Sequence, residues 1–321
     1  MVKLFRKLAD CIDPEITIIT ETNVPFEENL SYFGNRDEAH MIYQFSLPPL
    51  LLHAILTEHA RYLTRWAKSL PDQPDHCVYL NFTASHDGIG VRPIEGLVPD
   101  EDIDFLVEGT KDRGGFITHK QNEDGTQNPY ELNISYFDAF AKPGHPRSEL
   151  QKKRFLCSQI IMLSLQGVPG IYFHNLTSTK NYVDGVIETG DKREINRKQW
   201  DYQELKACIE GHKEESYCIL DIYKDLLKKR EKHSAFHPHG KQEVVDLKQH
   251  LFSFIRTSPD EKEHILVIAN VSSETIELSK SRLQDVSIIP AEELYDALAE
   301  ENIPNDEIKI NPFQVRWLVL K

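Results

Sequence analysis

The sequence predicts an α/β fold with a parallel sheet, followed by a small antiparallel β-domain. Up to about residue 236, short β-branched runs alternate with longer helical patterns, which is typical of βα units and a parallel sheet. Beyond that point, short alternating strands are separated by turn residues, which indicates antiparallel pairing. We therefore expect two domains, 1–236 and 237–321.

Four strands are predicted in the first domain. The first, residues 16–20, follows the helix-breaking Pro14 and is apolar enough for a buried parallel strand. The helical spacing of Leu51, Ile55 and Trp66 predicts a long helix over 50–70. The other elements predicted in this domain are strands over 41–45, 78–82 and 168–173 and a helix over 149–165.

Residues 88–148 interrupt the alternation of strands and helices. They are rich in Gly, Pro, Asn and Asp, and aromatic residues such as Phe116, Tyr130 and Tyr136 recur in them. We interpret the segment as a loop insertion or a small subdomain that covers a site, because disordered segments are poor in aromatic residues. The strands predicted for the second domain lie at 244–245, 252–255, 264–269, 275–278 and 315–319.

The number of βα units leaves two architectures open. A (β/α)8 barrel needs eight strands and about 250 residues, whereas four strands are predicted before the β-domain begins. The first domain is therefore either a small open α/β sheet or the second half of a barrel whose first half lies elsewhere. Composition does not choose between these two architectures.

Composition excludes several classes of protein. The chain has 321 residues with 37 basic and 51 acidic side chains, a net charge of −14, which disfavours binding to nucleic acid or to anionic lipid. No apolar run approaches the roughly 20 residues that span a bilayer. The five cysteines are scattered and form no CxxC pair. We expect a cytoplasmic protein with reduced thiols, and we expect the cysteines to be small buried apolar side chains.

Two carboxylates follow predicted strands. Glu21 comes directly after the first strand, and His86 and Asp87 follow the third. Carboxylates at the ends of parallel strands face the edge on which barrel enzymes build their sites, and a pair of them is what glycosyl chemistry requires. The alternatives are a helix-capping or solvated acid at Glu21 and a polar turn closed by Gly88.

A third motif, residues 190–197, carries Lys192, Arg193 and Arg197. These side chains suit hydroxyls or phosphate oxygens, although a solvated charged run is the commoner explanation. No metal site is predicted, because His237 and His239 have no carboxylate or Cys at ligand spacing.

Six segments occur in one order along nearly the whole chain: ITETNVP at 19–25, YFG at 32–34, AHMIYQF at 39–45, ASHDGIG at 84–90, GVPGIY at 167–172 and EINR at 194–197. Together they resemble glycoside hydrolase family 13, the α-amylase family, and within it the sucrose-phosphorylase branch. The resemblance implies the C-terminal half of a TIM (β/α)8 barrel, strands 5–8, followed by the family's C-terminal β-domain.

The resemblance also implies roles for individual residues. Glu21 falls at the general acid/base and Asp87 at the carboxylate that stabilises the transition state. The residues expected to bind substrate are His86, Arg197, Asn23 and Gln44, and those expected to meet phosphate are Arg193 and Lys192. No cofactor is implied, because inorganic phosphate is a co-substrate.

The reaction that the resemblance implies is a retaining double displacement through a covalent glucosyl-enzyme, which phosphate resolves to glucose 1-phosphate. The donor would be a small α-glucoside such as sucrose, sucrose phosphate or glucosylglycerate. Gly170 follows Pro169 where sucrose-acting members of the family usually carry Gln. This difference favours an acceptor other than fructose, such as glycerate, glycerol or a phosphorylated sugar.

One departure from the family is large. The family's nucleophile ends the fourth strand, ahead of the acid/base, and only fifteen residues precede the strand that leads to Glu21. We therefore expect a fragment, one half of a split enzyme whose other half is a separate chain, or an inactive remnant. The alternatives to a phosphorylase are a non-catalytic remnant or interaction subunit and an α-glucoside hydrolase of the same family. The expected partner is the missing first half as a separate chain or, alternatively, further copies of this chain in a homo-oligomer.

Overall fold

A four-stranded parallel sheet lies at the centre of the first part of the chain. The computed structural model describes residues 1–122, 124–145, 148–210, 219–279, 283, 294–303 and 307–320. Strands β1 (Ile19–Thr20), β2 (Met41–Tyr43), β3 (Val78–Phe82) and β7 (Val168–Gly170) pair in the order β1-β2-β3-β7. Every pair in this sheet is parallel, which confirms the predicted α/β class.

Helices and further strands precede, separate and follow the four strands of this sheet. The α-helices are α1 Val2–Ile12, α2 Phe26–Ser31, α3 Leu47–Leu56, α4 Arg61–Ser69, α5 Asp100–Asp112, α6 Glu149–Ser164, α7 Phe173–Leu176, α8 Val183–Thr189, α9 Tyr202–Ile209 and α10 Leu220–Glu231. The other strands are β4 Ile89–Gly90, β5 Phe116–Gln121, β6 Gln127–Asn133, β8 Lys241–Val244, β9 Leu251–Thr257, β10 His264–Asn270, β11 Ile276–Ser279, β12 Leu294–Asp296, β13 Glu301–Asn302, β14 Glu307–Ile310 and β15 Val315–Leu320.

Three predicted elements of the first domain are corrected. The buried strand expected over 16–20 is wrong, because β1 has two residues and Ile19 is 47% exposed beside a single neighbouring strand. The strand expected over 168–173 ends at Gly170, and Phe173 begins α7. The long helix over 50–70 is two helices, because the chain turns at Glu58, whose φ is 58°.

Residues 88–148 contain regular structure and are called the insertion subdomain below. Strands β4, β6 and β5 form an antiparallel sheet in the order β4-β6-β5, and α5 packs beside it. Of the two predicted alternatives, a small subdomain describes this segment. Its first strand, β4, begins two residues after Asp87. The subdomain therefore directly follows the His86–Asp87 motif.

The C-terminal part is an antiparallel β-structure, as predicted. Within the described residues, one sheet has the order β13-β12-β15-β10-β9-β8, and β11 pairs with β14. Its first strand begins at Lys241, earlier than the expected 244. The buried apolar core is continuous across residue 237, and Trp317 Nε1 donates to Ser164 Oγ at 2.7 Å. The domain boundary at 237 stays a prediction.

The described cysteines differ in burial. Cys77, Cys157 and Cys208 are buried, but Cys11 is exposed on α1, so the expectation of buried cysteines is wrong there. Cys218 lies outside the described residues. In the described ranges, no helix combines the length and the apolar character that crossing a bilayer requires.

Helix α1 turns its polar face towards the protein and its apolar face outwards. Lys3 Nζ lies 3.2 Å from Asp37 Oδ2, and Arg6 Nη1 donates to the Glu38 carbonyl at 3.3 Å. The opposite face carries large apolar side chains that are 51–79% exposed: Leu4, Phe5, Leu8 and Ile12. Amphipathic helices normally bury their apolar face, so this surface, together with the open edge of β1, is suited to contact another polypeptide.

We expect the isolated chain to self-associate through this surface. Light scattering after size-exclusion chromatography should give a mass above that of one chain, because α1 and the β1 edge expose apolar groups and unpaired backbone. Leu8→Glu should shift the distribution towards the monomer. Lys7→Glu, on the same helix but outside the apolar face, should not. A monodisperse monomer for the unaltered chain contradicts the prediction.

Candidate functional site

The candidate residues lie at the carboxyl ends of three neighbouring parallel strands. Glu21 follows the last residue of β1, Gln44 follows β2, and the segment 83–88 follows β3. The pairing register aligns Thr20 with Ile42 and Tyr43 with Leu80. Because parallel strands end at the same edge of a sheet, these three segments meet at one rim.

Asp87 is held by two arginines of the segment 190–197. Arg193 Nη1 lies 2.9 Å and Arg197 Nη2 3.2 Å from Asp87 Oδ1, and His86 Nε2 lies 3.6 Å from the same oxygen. The backbone N–H of Asp87 donates to Ser85 Oγ at 3.1 Å. The 190–197 motif and the His86–Asp87 motif therefore form one cluster, in which charge-assisted contacts hold the Asp87 side chain in place.

Arg193 has a second carboxylate partner that the sequence analysis missed. Its Nε and Nη2 donate to Glu131 Oε2 at 3.0 Å and Oε1 at 2.6 Å. Glu131 lies on β6 of the insertion subdomain and is 2% exposed. The hydrogen bond to Glu131 raises the pKa of Arg193 above its usual value. A charged residue inside a partly apolar strand was the one available signal, and it does not identify the partner.

The remaining basic side chains of this motif also have partners. Arg197 Nε donates to the His86 carbonyl at 3.0 Å, and its Nη1 lies 3.3 Å from Asp191 Oδ2. Lys192 Nζ donates to the Ile117 carbonyl of β5 at 2.7 Å. The segment 190–197 is thus tied both to the strand-end loop and to the insertion subdomain. Phosphate binding by Lys192 and Arg193 stays a prediction.

The loops after β1 and β3 contact each other through Asn23. A Cβ atom placed on Gly90 would lie 2.6 Å from Asn23 Oδ1, so a larger residue there would displace the Asn23 side chain. Glu21 is exposed at the rim. Burial, and secondarily the nearby Glu21 carboxylate, raises the pKa of the Tyr43 hydroxyl at the end of β2. These contacts bring the loop that carries Glu21 against the segment that follows Asp87.

Polar side chains at this rim are buried without hydrogen-bond partners among the described residues. Gln44 is 1% exposed, and neither its Oε1 nor its Nε2 has such a partner. The same is true of Asn23 Oδ1 and Thr20 Oγ1. An unsatisfied buried polar group costs about 1–3 kcal/mol. Such a cost is typical of groups that bind a polar ligand, and hydroxyls of a sugar are suitable partners for an amide.

Three aromatic rings lie at the ends of β2 and β3. Tyr43, Phe45 and Phe82 have centroid separations of 5.1 to 5.7 Å. A small pocket beside them is lined by residues that include Phe45, Phe82, Ser85, Asp87, Tyr136 and Asn196. The sequence analysis assigned no role to these rings, since alternating aromatic residues in strands are usually core residues. They add an apolar wall next to Asp87.

His174, which follows β7 along the chain, makes the stability of the protein depend on pH. Burial lowers the pKa of His174 to about 4, and its Nδ1 lies 2.9 Å from Thr179 Oγ1. The folded state therefore favours the neutral ring. This contribution to stability is complete above pH 6.5 and is lost as the pH falls from 6.5 through 4.

We expect the free energy of unfolding to fall by about 1–2 kcal/mol over this range because of His174 alone, allowing for its partial exposure to solvent. Denaturant titrations at pH 7 and pH 4.5 should show a smaller decrease for His174→Gln than for the unaltered chain. His119→Gln, at an exposed position on β5, serves as the control and should retain the full decrease. Equal decreases in all three proteins contradict the prediction.

Curated relatives match most of this chain. It is 44% identical over 272 residues to glucosylglycerate phosphorylase of Spirochaeta thermophila, a match that covers 85% of this chain and 46% of the relative. It is 35% identical over 319 residues to glucosylglycerate phosphorylase of Escherichia coli, covering 99% of this chain and 55% of the relative. The chain thus spans about half the length of these relatives. No protein-family model matches it.

Solved structures give the same fold. The crystal structure of sucrose 6F-phosphate phosphorylase from Thermoanaerobacter thermosaccharolyticum superposes with a TM-score of 0.67 at 20% identity, covering 84% of this chain and 51% of that one. The α-amylase of Geobacillus thermoleovorans superposes with a TM-score of 0.61 at 10% identity, covering 100% and 56%. The relatives and the fold together confirm the resemblance inferred from the six segments. The chain is homologous to the glucosylglycerate and sucrose phosphorylases and belongs with them to the α-amylase family, glycoside hydrolase family 13.

Proposed function

We propose that the chain is part of a retaining sugar phosphorylase that transfers a glucosyl group from a small α-glucoside to inorganic phosphate and releases glucose 1-phosphate. The observation that carries the proposal is the placement of Glu21, Gln44 and Asp87 at the ends of three adjacent parallel strands. Three relatives at 35–44% identity are named glucosylglycerate phosphorylase. Glucosylglycerate is therefore the proposed donor and glycerate the proposed leaving group.

Each candidate residue has a role in this reaction. Glu21 protonates the leaving oxygen as an aspartate attacks the anomeric carbon, and it takes a proton from phosphate when phosphate displaces that aspartate. Asp87 stabilises the positive charge that develops on the sugar ring. The side chains proposed to hold the glucosyl hydroxyls are His86, Arg197, Asn23 and Gln44, and those proposed to meet phosphate are Lys192 and Arg193. The reaction needs no cofactor.

We further propose that the nucleophile comes from a second polypeptide. Within the described residues, no strand pairs with the outer side of β1 or of β7, and α1 exposes its apolar face to solvent. Relatives about twice as long support an assembly in which this chain supplies the second half of a (β/α)8 barrel. The partner would add four parallel βα units and the nucleophilic aspartate.

The test is complementation. The chain is mixed with the part of the Spirochaeta thermophila relative that it does not match, called the complementing polypeptide below. Release of glucose 1-phosphate from glucosylglycerate is then followed with and without phosphate. Release is expected only in the mixture and only with phosphate. Glucose release that does not depend on phosphate would indicate a hydrolase, and an inactive mixture that nonetheless forms a complex would contradict the proposed activity.

A further inference from the structure

Arg193 forms ion pairs with both Glu131 of the insertion subdomain and Asp87. The planar guanidinium of Arg193 uses Nε and Nη2 for Glu131, at 3.0 and 2.6 Å, and Nη1 for Asp87, at 2.9 Å. Because two bonds to one carboxylate fix the plane of a guanidinium, Glu131 determines where the third donor points. The position of β6 therefore determines where Arg193 Nη1 lies relative to Asp87.

The backbone around this contact is closely packed. The strand β4, directly after the His86–Asp87 motif, pairs with β6 so that Gly90 lies opposite Glu131. A Cβ atom on Gly88 would lie 2.9 Å from the Cβ of Glu131 and 2.7 Å from Asn133 Nδ2. The segment that carries Asp87 thus contacts β6 through its backbone as well as through Arg193. This packing leaves Glu131 little freedom to move.

The carboxylates of Glu131 and Asp87 differ in burial. Glu131 is 2% exposed, whereas the side chain of Asp87 is 27% exposed and faces the rim. Removing the charge of Glu131 would weaken the two charge-assisted hydrogen bonds that fix the plane of the Arg193 guanidinium. Removing the charge of Asp87 leaves both bonds between Glu131 and Arg193 in place. Of the two carboxylates, Glu131 is therefore the one that fixes the position of Arg193.

We propose that Glu131 is a positioning residue of the site, which holds Arg193 against Asp87 Oδ1 so that the insertion subdomain sets the orientation of the Asp87 carboxylate. The role of Asp87 in catalysis rests on the proposed function. The anchoring itself does not, and it can be measured in the chain alone.

The first experiment uses the chain labelled with 15N-arginine and with backbone 15N. The Nε–Hε signal of Arg193 is assigned by its loss in Arg193→Lys. In Glu131→Gln, exchange of this proton with water is expected to be at least about 10-fold faster, because Nε donates to Glu131. In Asp87→Asn the exchange rate should be unchanged. The backbone amide signal of Asp87 should shift both in Glu131→Gln and in Arg193→Lys.

The matched control is Glu194→Gln. Glu194 belongs to the same segment, and its carboxylate lies 3.7 Å from Arg197 rather than from Arg193. Glu194→Gln should change neither the exchange of the Arg193 Nε–Hε proton nor the backbone amide signal of Asp87. Unchanged exchange at Arg193 in Glu131→Gln, or an Asp87 amide that does not move, overturns the proposal. If Glu131→Gln does not fold, Arg193→Lys still reports whether the amide of Asp87 depends on the arginine.

The second experiment measures activity in the mixture with the complementing polypeptide. Glu131→Gln should lower kcat at least about 10-fold and change KM for glucosylglycerate little, because a misdirected Asp87 affects the transition state more than the bound sugar. A change in KM alone would overturn the positioning role. An inactive mixture with the unaltered chain counts against the proposed function, and the exchange measurement then decides the anchoring separately.

Discussion

Glu21→Gln is expected to slow phosphate-dependent release of glucose 1-phosphate by about 10²–10⁴-fold in the mixture with the complementing polypeptide. The amide occupies the space of the carboxyl group but cannot protonate the oxygen of the departing glycerate. Glu21 is exposed at the end of β1, so the exchange removes no core packing and the melting temperature should not change. Initial rates at saturating phosphate give the comparison.

The leaving group provides the decisive control. α-Glucosyl fluoride needs no protonation to depart, so the Glu21→Gln chain should form the glucosyl-enzyme from it nearly as fast as the unaltered chain does. Glu27→Gln, at an acidic position in the first turn of α2, should leave both activities unchanged. A Glu21→Gln chain that remains slow with the fluoride would contradict the role of a general acid.

Sequence reasoning succeeded where the signal is local. The third strand, 78–82, has the predicted bounds because this largely apolar run lies between two strands, pairing with β2 over 78–80 and with β7 over 80–82. The antiparallel β-structure was predicted for a similar reason, since alternation and turns are short-range features. The Glu21 and His86–Asp87 motifs were found because each follows a predicted strand.

The predicted elements were wrong where tertiary contacts determine the local structure. Helical periodicity continues through 57–60, yet the chain turns at Glu58 and the N–H of Ala60 donates to the Gln249 carbonyl of the C-terminal part. The strand expected over 16–20 is mostly irregular because β1 has one neighbour. A sequence pattern contains no information about a neighbour that is distant along the chain.

Glu131 illustrates the same limit within the site. Its partner Arg193 is 62 residues away along the chain, and its neighbours in the sequence identify it only as a charged residue in a strand. The family resemblance implied that Arg193 and Arg197 lie near a ligand, but not that both contact Asp87. An ion pair between residues that are distant along the chain can be identified only from the three-dimensional structure.

Asp87→Asn is expected to lower kcat by about 10²–10³-fold in the same mixture, with KM for glucosylglycerate within a few-fold of the unaltered value. The substitution keeps the size of the side chain and removes the negative charge that faces the positive charge developing on the sugar. Arg193 retains Glu131, and Arg197 retains Asp191 and the His86 carbonyl. The protein should therefore remain folded, with an unchanged unfolding transition.

The fluoride donor separates Asp87 from Glu21. Stabilisation of the positively charged sugar is required whichever group leaves, so α-glucosyl fluoride should not rescue Asp87→Asn as it rescues Glu21→Gln. Asp191→Asn is the matched control, because Asp191 also contacts Arg197, at 3.3 Å, but is 49% exposed. It should retain most of the activity. Rescue of Asp87→Asn by the fluoride would place Asp87 in proton transfer to the leaving group and would exclude it as the residue that stabilises the charged sugar.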